Sequence, residues 1–403
     1  MSSPYLPPEI LDYITDLLRN ELETLGVCCF VSKSWVPRTR RHLFASIEFR
    51  SANAIDLWKK TFPDPSDSPA YHTRILTFRC AQTVVAAGAG EGGWIQSFSR
   101  VVELELAPDD DDPLSSFGNL ERTSLVPFHN FSPIKWLRMG SMTLPYPQIF
   151  TLIRSFPLLE HLSLIGHDTL LGDNSDPNGP QTGVPLALPA LTGSLSLVMI
   201  GGIENTAQRL LNLSGGLRFR KFMLSWILKG DLRWIMELVV RCSDTLEYLD
   251  IRCSPPCMFV SAICWSNCLP PSVGDSGPAS IDLSKAKKLG GVEFWPGSPK
   301  VGWVITALQT ITPEHQDLRC ISIYAPRTLA PVGVDDNVRR TVGEQIWGQW
   351  LELDRVLVQF WESRSIRPKV VCVAPEKEWQ DRMRASMGSL LPEITRRGII
   401  YLF

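Results

Sequence analysis

Four cysteines, Cys253, Cys257, Cys264 and Cys268, are spaced x3, x6 and x3, the nearest approach to a metal-ligand set in the chain. Four-thiolate zinc sites favour closer C-x2-C knuckles, and Pro255-Pro256 stiffens the loop between the first two. Core or loop thiols are therefore the expected reading. His161 and His167, six apart across a strand end and a turn, share no helical face, and Asp168 beside the second does not complete a site. Asp109 to Asp112 has neither the glycine nor the spaced glutamate of a calcium loop and reads as solvated. The run Gly88-Ala89-Gly90-Glu91-Gly92-Gly93 lacks the Lys and Ser/Thr of a phosphate cradle. Phosphate-loop, dinucleotide-fingerprint, nucleophile-elbow and zinc-protease patterns are missing from the sequence. The expectation is a protein that is not an enzyme and uses no cofactor or metal.

Binding chemistry is better represented. Thirteen tryptophans are many for 403 residues, and indole is over-represented at binding hot spots. Most should be core. Trp265 and Trp295 stand next to loop residues rather than inside a helical stripe, so they are the expected target-binding side chains.

The elements that must position these residues follow from hydrophobic spacing. From Tyr71 onward, short runs carry apolar residues two apart: 74–78, 102–106, 134–139, 159–164, 195–199, 219–224, 246–251, 291–294, 318–323 and 369–373. Helical stripes separate several of them, at 146–156, 203–213, 232–242, 301–311 and 344–363. Ile47 to Phe49 alternates like one more strand, and Ala54 to Phe62 reads as a helix. A strand-helix unit recurring every 25 to 35 residues is too thin to bury its own apolar face, so the units must stack. The clearest copies, Leu159-Glu160-His161-Leu162-Ser163-Leu164 and Leu246-Glu247-Tyr248-Leu249-Asp250-Ile251, resemble the leucine-rich-repeat core Leu-x-x-Leu-x-Leu, without the asparagine ladder of regular repeats. The competing architecture is a closed α/β domain with a mixed sheet. Breaks at 109–113, 172–185 and 270–278 are rich in Gly, Pro, Asp and Ser and read as loops on one rim.

The first fifty residues differ. Pro7 and Pro8 suit the entry of a helix. Ile10, Leu11, Ile14, Leu17 and Leu18 then form one stripe, with Asp12, Thr15, Asp16 and Arg19 off it. A second stripe runs from Leu25 through Cys28, Cys29 and Val31 to Trp35, with Thr24 as a possible N-cap and Pro37 as its stop. A third short helix covers 38–44. Three such helices form too small a core to stand alone, so their excess apolar surface must meet the body or a partner.

This N-terminal segment resembles an F-box: Leu6-Pro7-Pro8-Glu9-Ile10, then Leu17-Leu18, Leu25, Cys28 and Val31-Ser32-Lys33-Ser34-Trp35. Together with Pro37-Arg38, Arg40, Leu43-Phe44, Trp58 and Phe62-Pro63 it is similar to the F-box-like proteins of mushroom-forming fungi. The resemblance implies docking on the Skp-type adaptor of a cullin-based ubiquitin ligase through Leu6, Pro7, Glu9, Ile10, Ile14, Leu17, Leu25, Val31, Ser32 and Trp35, with the body presenting a target protein. The alternative is a scaffold outside any ligase, its helices capping the body.

The expected fold class is thus α/β, a short three-helix F-box-like domain (1–50), a linker helix and loop (51–70), and an irregular leucine-rich-repeat-like solenoid (71–403). Forty basic against forty-two acidic residues argue against a nucleic-acid partner. The densest basic run, Arg38 to His42, reads as a solvated helix face rather than an anion site. With no signal-like start and no apolar run of about 20 residues, no membrane partner and an intracellular location are expected.

Overall fold

The computed structural model describes residues 7–79, 83, 93–107, 128, 131, 133–140, 146–167, 191–200, 203–213, 215–227, 232–253, 281–298, 300–326, 343–364, 366–372 and 377–402. Two compact units divide the chain, Met1–Gly166 with Leu170–Asn174 and His167–Thr169 with Ser175–Phe403. This division falls well beyond the 51–70 linker read from the sequence. Ser68, Pro69 and Ala70 of that linker are buried, and the first strand, Ser46–Phe49, lies within the 1–50 segment where the 47–49 alternation placed it.

The first unit opens with α1 (Pro8–Leu17), α2 (Leu22–Val31) and α3 (Val36–Leu43). It continues as β1 (Ser46–Phe49), α4 (Ala52–Thr61), a 3-10 turn (Pro69–His72), β2 (Ile75–Arg79), the single turn α5 (Gly93–Gln96), β3 (Glu103–Ala107), β4 (Trp136–Gly140), α6 (Tyr146–Arg154) and β5 (His161–His167). The strands pair in parallel and in chain order. Their register aligns Ile47, Leu76, Leu104, Leu137 and Leu162 in one column and Phe49, Phe78, Leu106, Met139 and Leu164 in the next. All ten side chains are buried. A slip of one residue would turn both columns to solvent, so the alternation itself selects the register.

The second unit contains β6 (Leu191–Ile200), α7 (Glu204–Leu211), β7 (Leu217–Ile227), α8 (Leu232–Arg241), β8 (Tyr248–Cys253), β9 (Gly291–Trp295), α9 (Gly302–Gln309) and β10 (Cys320–Ala325). It ends with α10 (Glu344–Arg364), β11 (Arg367–Cys372), α11 (Lys377–Leu390), α12 (Pro392–Arg396) and β12 (Ile400–Leu402). Parallel pairing in chain order repeats here, with Leu197, Leu224, Ile251, Phe294, Ile323, Val370 and Ile400 in register. Every strand pairing among the described residues is parallel, which sets the mixed-sheet alternative aside.

Three residues ahead of Leu76, Leu104, Leu137, Leu162, Phe222, Leu249, Val292 and Ile321 stands another buried side chain: Thr73, Val101, Ile134, Leu159, Phe219, Leu246, Leu289 and Leu318. Just before the strands, backbone amides donate to the preceding copy, from Arg74 to Ala45, Val102 to Arg74, Lys135 to Val102 and Glu160 to Lys135. The same chain of bonds links Glu247 to Arg220, Gly290 to Glu247 and Arg319 to Gly290. Each copy thereby satisfies polar groups that the entering loop would otherwise bury unpaired.

No helix among the described residues is long and apolar enough to cross a membrane. The loops at 109–113 and 172–185, the 270–278 segment, most of the 88–93 glycine run, Leu6, Trp265, Cys257, Cys264 and Cys268 lie outside the described residues. Cys253 is half-buried on β8.

Candidate docking surface

α1 uses two faces. Pro7 and Pro8 open it, and the Pro7 carbonyl accepts from the amides of Ile10 and Leu11 at 3.0 and 3.2 Å. Leu11 and Thr15 are buried and Ile14 and Leu18 half-buried, so this face packs inward. Thr15, read from the sequence as off the stripe, is 1% exposed because its hydroxyl donates to the Leu11 carbonyl at 2.8 Å. Ile10, Tyr13 and Leu17, spaced for a single face, stay 45%, 63% and 66% exposed. The single stripe expected over 10–18 is in fact two apolar rows of opposite fate.

α2 is apolar almost all round. Leu25 and Cys28 turn inward, while Leu22, Val27, Phe30 and Val31 are left open, Phe30 at 91%. Leu25, expected at the docking contact, is 0% exposed and belongs instead to the core that holds the three helices together. The helix starts at Leu22 behind Glu21, so Thr24 caps nothing, and it ends at Val31 rather than running on to Trp35. Ser32 shapes the turn that follows. Its hydroxyl lies 3.0 Å from that of Ser34 and accepts from the Ser34 amide, and its carbonyl accepts from Trp35. Trp35 is half-buried at the N-cap of α3, and Pro37 sits in the first turn of that helix instead of stopping the one before. Pro7, Glu9, Ser32 and Val31 are exposed.

Gly26 of α2 has no atom within 4 Å of where a Cβ would stand. Gly26→Ala is expected to raise the stability of the free protein by about 1 kcal/mol, the helix-interior cost of glycine. Equilibrium urea unfolding measures it; an unchanged or lower midpoint would contradict the reading.

α1 and α3 are clamped by Asp16. Arg38 Nε and Nη2 donate to its two carboxylate oxygens at 2.7 and 2.5 Å, and His42 Nε2 lies 2.7 Å from Oδ1. The Arg38 guanidinium, then His42, hold the Asp16 carboxyl well below the ordinary value of 3.8. A depressed carboxylate stabilises the fold above its unfolded pKa and loses that contribution as pH falls through the folded one. Wild type should therefore melt above Asp16→Asn at neutral pH, with the two thermal midpoints converging as the pH drops below 3.8. A difference that persists in strong acid would exclude the clamp as its source.

Seven of the fifteen large apolar side chains left exposed among the described residues lie between Ile10 and Val31. The sequence reading named Ile10, Leu17 and Val31 but missed Tyr13, Leu22, Val27 and Phe30. The available signal was the lack of a polar face on α2, since a helix apolar all round has to be buried or docked. On its inner side the cluster is anchored. α3 packs on the 3-10 turn, and Phe44 meets Trp58 edge-on at 6.1 Å within a group that includes Phe49, Phe62 and Phe98.

Trp295 stands on β9, half-buried, away from the core columns. Its ring stacks on Tyr324 at 3.5 Å and 9°, with the Arg252 guanidinium 4.7 Å over it. Arg252 also grips the buried Asp250 at 2.7 and 2.9 Å. Burial raises the Asp250 pKa against the pull of that arginine. Burial and a hydrogen bond to Glu293 raise the Tyr248 pKa, and burial and the Glu293 charge raise that of Tyr324. Gly291 makes room for Tyr248, whose ring would lie 3.1 Å from an added Cβ. The open side of these strands thus presents an aromatic and charged surface. Among the described residues no group of three or more His, Cys, Asp or Glu could hold a metal ion.

The fold and the surface together define an α/β protein built on parallel strands in chain order, with exposed apolar side chains on the helices that precede them. No family model matches the chain, and no curated protein matches it.

Proposed function

We propose that this protein is the substrate-recognition subunit of a Skp-cullin-F-box type ubiquitin ligase. Residues 7–44 dock on a Skp-type adaptor, and through it on a cullin. The body is a leucine-rich-repeat-like solenoid that binds a target protein, with Trp295 on its binding face. The protein works inside the cell and catalyses nothing itself; it raises the local concentration of target lysines near the transferring thioester.

One observation carries this reading. An N-terminal helical cluster that resembles an F-box keeps Ile10, Tyr13, Leu17, Leu22, Val27, Phe30 and Val31 in solvent although Leu11, Leu25 and Cys28 give it an inner core. Exposed apolar residues occur singly on any protein, but seven within two short helices support an interaction site. The solenoid reading is supported by the chain-order parallel pairing and by the recurring buried Leu-x-x-Leu-x-Leu positions. The purified chain should form a complex with a Skp-type adaptor that survives gel filtration; two folded proteins that elute separately would overturn the assignment. Deleting residues 1–50 is a poor test, because it removes Ile47 and Phe49 from the buried columns along with the helices.

A further inference from the structure

The basic run of α3 divides on folding. Arg38 and His42 are engaged by Asp16, whereas Arg40 and Arg41 have no carboxylate partner among the described residues, and neither has Arg100 in the loop ahead of β3. α3 packs on the 3-10 turn that carries His72, and the charges of Arg40 and Arg41 reach that imidazole. From the other side Arg100 lies 5.7 Å from the centre of the Tyr71 ring, and that ring is 3.8 Å from the imidazole of His72. Three elements therefore deliver cationic groups to one place. After burial, the neighbours that bear on the His72 proton are Arg100, Arg40 and Arg41, all of one sign, and they lower its pKa below the ordinary imidazole value.

Two arginines on the strands contrast with this. Arg79 lies between Glu48 and Glu105 at 2.7 and 3.8 Å, and Arg252 is held by Asp250. Like charges held together without a counterion raise the free energy of the fold. Tyr71, Arg41 and Arg100 are exposed, so the cluster is open to solvent. Flanking it, the hydroxyls of Thr39 and Thr73 are buried without a hydrogen-bond partner among the described residues.

We propose that Arg40, Arg41, His72 and Arg100 form a binding site for a phosphate group, carried by a free phosphate ester or by a phosphorylated side chain of a partner protein. A guanidinium presents paired donors that match phosphate oxygens, and a dianion offsets several arginines at once where a carboxylate offsets one. Binding also offsets the repulsion that, after burial, lowers the His72 pKa. The imidazole then takes a proton from solvent and adds a charged donor. The proposal does not depend on the ligase assignment, because it uses neither the exposed face of α1 and α2 nor an adaptor.

The experiment is an NMR titration of His72 in the full chain, its resonance identified from the spectrum of His72→Gln. Inorganic phosphate is compared with chloride at matched ionic strength. Phosphate should move the His72 titration to higher pH saturably, and Arg41→Gln with Arg100→Gln should weaken that effect about tenfold or more. Both substitutions are at exposed positions, so the fold persists. A phosphoserine peptide that binds more tightly than glycerol phosphate assigns the group to a protein partner; equal binding assigns it to a free ester. A His72 titration that is the same in phosphate and chloride, or wild-type affinity in the double variant, overturns the site.

Discussion

Phe30→Asp combined with Leu17→Asp should abolish capture by a Skp-type adaptor and leave the free protein as stable as wild type. Phe30 and Leu17 are 91% and 66% exposed, on different helices of the same cluster. They contribute little to the fold, and surface changes of this kind alter stability by about 0.5 kcal/mol or less. In a docked state each would be an anchor contributing about 2 kcal/mol. Losing both, and burying charge in their place, corresponds to about a thousandfold weaker binding. Calorimetry with purified adaptor reads the affinity and urea unfolding reads the stability. Leu25→Ala is the instructive contrast: at 0% exposure it should cost about 2 to 5 kcal/mol of stability. Adaptor binding that survives the double substitution would remove α1 and α2 from the interface.

The second large effect concerns Asp354 of α10. Its carboxylate is 3% exposed and accepts from the backbone amides of Glu393 and Ile394 at 3.0 and 2.9 Å, capping α12 from another helix. Asp354→Ala leaves two amides at this buried site without an acceptor, at about 1 to 3 kcal/mol each, and should lower the urea midpoint accordingly. Asp354→Asn keeps one acceptor oxygen but turns its NH2 toward the other amide, and should fall between wild type and Asp354→Ala. Burial raises the Asp354 pKa above its ordinary 3.8 in spite of the two amides. With the folded pKa above the unfolded one, ionisation disfavours the fold, and that penalty disappears as pH falls through the folded value toward 3.8. Wild type should therefore gain on Asp354→Asn over that interval. An alanine variant as stable as the asparagine variant would mean that the cap is dispensable.

Much of the body was legible beforehand. All ten strand runs between 74 and 373 and the 47–49 run coincide with strands, and the five helical stripes with helices, because two-residue and 3.6-residue periods are local properties. β12 escaped, since Ile400–Leu402 is too short to show alternation, and so did α11 and α12. Trp295 was singled out for standing outside any helix stripe, and it does lie away from the core columns. Its stacking on Tyr324 and the Arg252 guanidinium over it could not be read, because they join residues from three strands.

The N-terminal helices show the boundary most clearly. Their positions and their apolar excess follow from residues 7–44 alone, since proline placement and leucine spacing act within a turn or two of helix. Which apolar side chains are excess does not follow. Leu11 and Ile10 are adjacent and equally greasy, yet one is buried and the other open. That choice rests on where α3 and the Asp16–Arg38 clamp hold α1, as the caps that Gln349 and Asp354 of α10 supply to α9 and α12 rest on partners 39 to 48 residues away. Periodicity is encoded between near neighbours along the chain, whereas exposure and charge pairing depend on distances through space that only the packed structure sets.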